Sequence, residues 1–438
     1  MPAALLKRPN LLRSVVMFLS IVGPGIITAN ADNDVGGITT YSLAGAQFGY
    51  ELLWLLIPVT LALIVTQEMC ARMGAVTGKG LADLIRENFG VKLTFWVLLI
   101  FVLGDLGNIA AEFAGIAWSA PIFFGFMPWI HAVPGWIFTD GMVVAAAALV
   151  FSVITHGNLK VVERVFFAFC IAYLAYVVSA VVVHPNWGEV FHQTLVPHFS
   201  PTSAYLVMAI GVIGTTIAPW MQFYIQAAVV DKGIRVADYP YSRLDVVSGA
   251  FVTDIIAYFI IVSSAATIYL HNLHSAHPLQ IANAGDVAAA LAPLAGKFAS
   301  LLFAFGLLNA AIFTASILPL STAYYVCEAF GFERGMDNSF KDAPIFYSLY
   351  LALIVTGASI VLLPHSPLLA IIFYSQVLNG ALLPAILVLM LILINNRRLM
   401  GKYVNGPAFN VIAWGTVAIV GLLTIVSVVL AFFPNLPT

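Results

Sequence analysis

The segment GPGIITANADNDVGG, residues 23–37, lies inside an apolar run from about residue 14 to Phe48, and a regular helix in hydrocarbon cannot hold it. It carries two carboxylates, Asp32 and Asp34, two amides, Asn30 and Asn33, and adjacent glycines at 36 and 37. Asn, Asp and Gly are poor helix residues, and a charge at mid-bilayer is costly to insert. The helix is therefore expected to break here. A second apolar run, 203–230, breaks at Gly214-Thr215-Thr216-Ile217-Ala218-Pro219-Trp220. Pro219 has no N–H, and its ring clashes with the carbonyl four residues back, that of Thr215.

Around these two breaks the chain reads as membrane. Of its 438 residues 61% are hydrophobic and only 9% charged, with a mean hydropathy of +0.99. A soluble domain is nearer a quarter charged, so lipid must be the solvent for much of this surface. Runs long enough to cross a hydrocarbon core of roughly 30 Å fall at about 14–48, 51–73, 94–125, 139–154, 161–183, 203–230, 245–270, 298–330, 344–364, 367–395 and 409–433. That makes eleven spans, all α-helical. The run at 94–125 reads either as one long tilted helix or as a helix broken near Gly104. The N-terminal Lys7, Arg8 and Arg13 lead into the first run with no cleavage site, so that run is read as a retained span.

Charge placement supports this count. With the N-terminus cytoplasmic, the loops after even-numbered spans hold Arg72, Lys79, Arg86 and Lys92; Lys160 and Arg164; Lys232, Arg235 and Arg243; Arg334 and Lys341; and Arg397, Arg398 and Lys402. Lys297 is the one basic residue out of place. This is the positive-inside pattern, and it puts the C-terminus outside. The opposite loops carry His131, His184, His192, His198, His271, His274, His277 and His365. These read first as polarity without fixed positive charge, and second as a metal-gathering vestibule.

The breaks fall in spans one and six, five apart. An odd offset means that two halves enter the membrane from opposite sides, as an inverted repeat. Repeat one covers about 14–183, repeat two about 203–395, and an extra helix lies at about 409–433, all within one transporter domain, 1–438. Transporters built this way bind substrate near mid-membrane, where unwound carbonyls and half-helix ends face a cation. Other intramembrane polar groups are Asp105, Asn108 and Glu112 in span three, Asp254 in span seven, and Gln376 and Asn379 in span ten. For Asp105 and Asp254, a functional ionisable group and interhelical hydrogen-bonding glue are equal readings. No H-E-x-x-H, G-x-S-x-G or Walker loop occurs, so no enzymatic chemistry is expected. The net charge of -2 gives no footprint for nucleic acid. Cys70, Cys170 and Cys327 make no disulfide or metal pattern.

From about residue 20 to 402 the chain resembles the NRAMP family of divalent metal transporters. The resemblance is carried by Gly23-Pro24-Gly25 through Ala44-Gly45-Ala46; Ala71-Arg72-Met73-Gly74 with Val76-Thr77-Gly78-Lys79; and Ala111-Glu112-Phe113-Ala114-Gly115. Its most specific part is Ser375-Gln376-Val377 through Leu382-Leu383-Pro384 to Arg398-Leu399-Met400-Gly401. It implies a LeuT-like 5+5 inverted repeat with helices 1 and 6 broken. The departures fall on functional positions. The family's D-P-G-N is here Asp34-Val35-Gly36-Gly37, keeping the Asp and losing the Asn. Its Met-Pro-His is Ala218-Pro219-Trp220, without sulfur or imidazole. Its Asp three residues before the Glu is Ile109, with Glu112 retained.

Sulfur suits soft transition ions, whereas carboxylate, carbonyl and water suit magnesium, calcium and manganese. The resemblance thus implies an oxygen-lined metal site at Asp34, Asp32, Asn33, Ala31, Gly37, Thr215, Ile217, Ala218 and Gln376, with Asn30 and Thr216 nearby. It also implies a cavity enlarged by the small residues at 37 and 218. Glu112 is left as a proton or neighbouring group. The branch most resembled is the NRAMP-related magnesium transporters. The expectation is a secondary transporter of Mg2+, and also Mn2+, working by alternating access without proton coupling. The metal is cargo and no cofactor is expected. The bilayer is its partner, with no nucleic acid or obligatory protein partner, in a multi-pass cell membrane of bacterial inner-membrane type. A proton-coupled manganese or iron importer is the alternative. An amino-acid transporter of the same architecture is another, disfavoured because Asp32 and Asp34 oppose an anionic substrate.

Overall fold

A computed structural model describes residues 23–432 apart from 158, 201, 365 and 367. Lys7, Arg8, Arg13, the beginning of the first span, His365 and the last six residues lie outside the described residues. All regular structure within them is helical. The first repeat opens with α1 (Pro24–Asn30) and α2 (Val35–Phe48), then α3 (Leu56–Thr77), α4 (Leu81–Phe89) and α5 (Val91–Phe124). There follow α6 (Gly135–His156), α7 (Leu159–Ala172), α8 (Leu174–Val182) and α9 (Trp187–Leu195). The second broken span is α10 (Ser203–Thr216) and α11 (Pro219–Asp231), followed by α12 (Tyr239–Ser264), α13 (Leu270–His274), α14 (Ala284–Ala295) and α15 (Lys297–Phe330). The chain ends with α16 (Pro344–Leu362), α17 (Leu368–Ile394), α18 (Arg397–Met400) and α19 (Pro407–Phe432).

Among the described residues nine helices are long and apolar enough to cross a membrane, and ten if the bent pair Leu378–Ile394 and Arg397–Tyr403 is one crossing. The expected count of eleven also includes the first span, whose described parts α1 and α2 are each too short to be among these ten. The 94–125 run is one unbroken helix. Gly104 does not kink α5; it gives α17 room, since a Cβ there would lie 3.3 Å from Leu378. Span seven is longer than 245–270: α12 runs through a single π turn, Ala265–Tyr269, into α13. The short helices α4, α9 and α14 were not expected. Each is only 9 to 12 residues and connects spans.

Helix α15 is the buried axis and packs most extensively on α5, whereas α6 and α19 present mostly apolar surface outward, as lipid contact requires. Small residues allow the closest crossings, as is usual in membranes. A Cβ on Gly249 of α12 would stand 2.7 Å from the Gly25 carbonyl oxygen of α1, and one on Gly25 would run into the backbone of Val246. At this crossing Asp245 accepts the N–H groups of Gly23, Gly25 and Ile26 at 3.2, 2.7 and 3.2 Å. One carboxylate thus satisfies three donors that a helix start leaves without partners. Lys232 and Glu163 pair at 2.6 Å beside Gly23.

Candidate metal site at the two helix breaks

The first break has a local cause. Helix α1 ends at Asn30, and Asp34 starts α2 as its N-cap, extended in backbone and accepting the Gly37 N–H at 2.5 Å. A cap carboxylate three residues before a glycine N–H is a strong helix-start signal. Glu112 of α5 adds a second clasp: its two oxygens lie 3.3 and 3.4 Å from the Val35 nitrogen and accept that N–H. The linking residues are pinned from three sides. Thr314 donates to the Ala31 carbonyl at 3.1 Å, Tyr173 to the Asn33 carbonyl at 2.9 Å, and Asn33 Nδ2 to Thr253 Oγ1 at 2.6 Å. The second break spans Ile217 and Ala218, with Pro219 as the first residue of α11. Tyr41 of α2 and Thr216 share a hydrogen bond of 2.8 Å, which draws the two breaks together.

Oxygens converge where α2 begins. A Cβ on Gly37 would stand 2.9 Å from the Asp32 carbonyl oxygen, 3.1 Å from Thr215 Oγ1 and 3.2 Å from Asp34 Oδ1. The amide of Gln376, from α17, presses on Gly36 closer than a methyl group would permit. Asp34, Asp32, Thr215, Gly37 and Gln376 are thus brought to one place. Ile217 and Ala218 are buried at the second break, where Thr215 and Thr216 reach α2, at Gly37 and Tyr41.

Several details differ from the sequence reading. The small residue at 37 does not leave a roomier cavity, because three oxygens already close on the space its side chain would take. The Ala31 carbonyl is engaged by Thr314, and it is the Asp32 carbonyl that faces Gly37. Asn33 works as a clamp on α12. The Asn30 amide nitrogen bonds back to Ile26 within its own helix at 2.9 Å. Asp105 Oδ2 accepts Thr322 at 2.7 Å and Tyr325 at 2.8 Å, joining α5 to α15, while its Oδ1 is buried with no partner among the described residues. Asn108 and Asn379 are buried, Asn379 facing Gly104. Among the described residues no three His, Cys, Asp or Glu side chains come together as a metal-binding group. The histidines described therefore form no vestibule cluster, and His198 instead lies 3.6 Å from Glu51. The side chains of His131 and His365 are outside the described residues.

Comparison with known proteins agrees with this architecture. The chain is 27% identical over 416 residues to the divalent metal cation transporter MntH of Deinococcus radiodurans, covering 92% of this chain and 88% of that one. It is 27% identical over 439 residues to divalent metal cation transporter MntH 1 of Pseudomonas aeruginosa, covering 96% and 92%. The crystal structure of the manganese transporter of Eremococcus coleocola superposes with a TM-score of 0.76 at 20% identity, over all of this chain and 92% of that one. The LeuT-like fold is thus common to both. The sequence profile described as natural resistance-associated macrophage protein-like matches residues 25–430, and the chain belongs to the Nramp family.

Proposed function

We propose that this multi-pass membrane protein transports divalent metal ions, with Mg2+ as its main cargo and Mn2+ also accepted, by alternating access and without accompanying protons. The observation that carries the reading is the convergence of Asp34 Oδ1, Thr215 Oγ1 and the Asp32 carbonyl around Gly37, with Ala218 in place of a sulfur donor. An all-oxygen set favours hard ions and gives soft ones no advantage. Magnesium releases its waters reluctantly and is usually held by one or two carboxylates, which is the number this site offers. The relatives named above are metal cation transporters, for which the ion is substrate and not cofactor.

Absence of proton coupling is supported by Ile109 at the position one turn before Glu112, and by the use of Glu112 to hold the Val35 N–H. Coupling is not required energetically. A divalent ion entering down 100 mV gains about 4.6 kcal/mol, enough for roughly three decades of accumulation.

The test is uptake of Mg2+, Mn2+ and Ca2+ into proteoliposomes carrying a luminal pH dye, driven by a potassium diffusion potential. Mg2+ should enter with luminal pH unchanged, and Asp34→Ala should abolish entry while the protein remains folded. Acidification that scales with metal flux would replace this reading with the proton-coupled manganese or iron importer. Normal transport by a folded Asp34→Ala protein would reject the site.

A further inference from the structure

We propose that the crossing of α3, α12 and α19 binds the phosphate headgroup of an anionic phospholipid from the surrounding leaflet, through Arg243 and Lys402. The site is separate from the helix breaks and does not depend on which ion is carried. Phe409, in the first turn of α19, has two guanidinium groups over its ring, Arg72 of α3 at 5.5 Å and Arg243 of α12 at 5.8 Å. The protein itself answers Arg72. That side chain is buried, pairs with Glu68 at 3.0 Å, and donates to the carbonyls of Tyr403 and Val404 at 3.1 and 3.3 Å and to the Asn405 amide oxygen. These bonds set residues 403–405 against α3 and bring Lys402, 5.3 Å from the Tyr403 ring, to the same crossing. Arg243 is different. It is exposed, and among the described residues it forms no ion pair and donates no hydrogen bond. Glu68 is taken up by Arg72, Asp238 accepts the Arg235 N–H at 3.3 Å, and Asp245 is committed to α1. Two like charges on one ring with one carboxylate leave a net positive charge. Lys402, Arg397 and Arg398 add to it, with no ion pair among the described residues.

Chemistry and position together select a lipid phosphate. Stacking on Phe409 occupies a face of the Arg243 guanidinium and leaves the N–H groups in its plane, the edge that matches a phosphate. Arg243 is in the second turn of α12 and Phe409 in the first turn of α19, and both helices are long and apolar enough to cross the membrane. The cations therefore sit at the membrane surface, where these two spans begin. The segment Arg397–Tyr403 turns 60° from Leu378–Ile394, which carries its basic residues away from the axis of α17. Beside the cations, Leu244 of α12 and Val411 of α19 are exposed apolar side chains that acyl chains can cover. Basic pockets between spans at a membrane surface bind anionic headgroups, whereas a soluble anion would leave those apolar residues bare. Arg243 also lies two residues before Asp245, which holds the start of α1. A headgroup here ties the last helix to the turn of α12 that holds α1.

The test uses the full-length protein in phosphatidylcholine vesicles with phosphatidylglycerol added as the probe. Lipid retained after extraction is counted by native mass spectrometry, and the fold is followed by the thermal unfolding midpoint. Wild type should retain phosphatidylglycerol over phosphatidylcholine, and Arg243→Gln combined with Lys402→Gln should weaken that retention about tenfold or more, several-fold for each cation. The midpoint of this double variant in phosphatidylcholine should match wild type, because neither side chain is ion-paired within the described residues. Lys341→Gln, a basic residue of another loop, should retain lipid as wild type does. Equal retention by the double variant, or an equal loss in Lys341→Gln, overturns the site. Inorganic phosphate should not displace the lipid; displacement by phosphate alone would make this a site for free anions and overturn the lipid assignment. Were the double variant to unfold early, salt decides without any substitution. Raising the ionic strength should strip phosphatidylglycerol from wild type while phosphatidylcholine stays, and retention indifferent to salt overturns the headgroup site.

Discussion

Gly37→Ala gives the sharpest test of the site, because its two expected effects have opposite signs. Gly37 is in the first turn of α2, and exchanging a helical glycine for alanine should stabilise the fold by about 0.5–1 kcal/mol. The new methyl, however, would enter a space bounded by the Asp32 carbonyl at 2.9 Å, Thr215 Oγ1 at 3.1 Å and Asp34 Oδ1 at 3.2 Å. The first of these is backbone and cannot swing away. Asp34 is also held by the Gly37 N–H, so moving it loosens the α2 cap. Overpacking of this kind typically costs about 1–3 kcal/mol. The easiest relief is for the three oxygens to separate, which removes them from a common ion. Metal affinity should therefore fall roughly five- to one-hundred-fold, at about 1.4 kcal/mol per decade, while the unfolding midpoint stays near wild type. The assay is Mg2+ and Mn2+ titration of purified protein, paired with thermal unfolding and proteoliposome KM. Gly36→Ala is the companion, since there the obstacle is the flexible Gln376 amide and the effect should be smaller. Wild-type affinity in a well-folded Gly37→Ala protein would refute the claim that these oxygens act together on the ion.

Ala218→Met should raise the Cd2+-to-Mg2+ transport ratio about tenfold or more; an unchanged ratio in a variant that still transports removes sulfur loss as the basis of selectivity. Asp105→Ala leaves the buried Tyr325 hydroxyl without its acceptor and should cost about 1–3 kcal/mol, read as a lower unfolding midpoint, with Tyr325→Phe milder. A midpoint equal to wild type would return Asp105 to the list of functional candidates. A single cysteine replacing Lys402 should be protected from an impermeant reagent on intact cells while one replacing Pro437 is labelled. The native Cys70, Cys170 and Cys327 are buried, so background is low. Equal labelling at the two positions would refute the eleven-span count, because the last run would then not cross between them.

Both breaks were legible from residues 23–37 and 214–220 because residues that disfavour helix are concentrated there; the sparser Gly104, Asp105 and Asn108 leave α5 unbroken. The spans were legible because lipid forces long apolar runs, and the basic loops divide them. What could not be read was which partner each buried polar group takes. Glu112 meets Val35 across 77 residues, and Asp105 meets Tyr325 across 220. Such pairs leave no periodic trace. The choice between the Ala31 and Asp32 carbonyls was hidden too, since it turns on Thr314 from a helix far along the chain. The cavity at residue 37 was misjudged for a related reason. Counting side-chain atoms lost says nothing about whether backbone and neighbours have closed the gap.

The clasp of Asp245 on the start of α1 has a consequence for how that short helix can behave. Three hydrogen bonds that end on a single carboxylate are not three independent attachments; what disturbs the acceptor disturbs all of them at once. The backbone crossing at Gly25 and Gly249 removes intermediate options, because two chains in van der Waals contact cannot slide by a fraction of a side chain. The start of this helix is thus held to its neighbour through one acidic residue some 220 positions away in the chain.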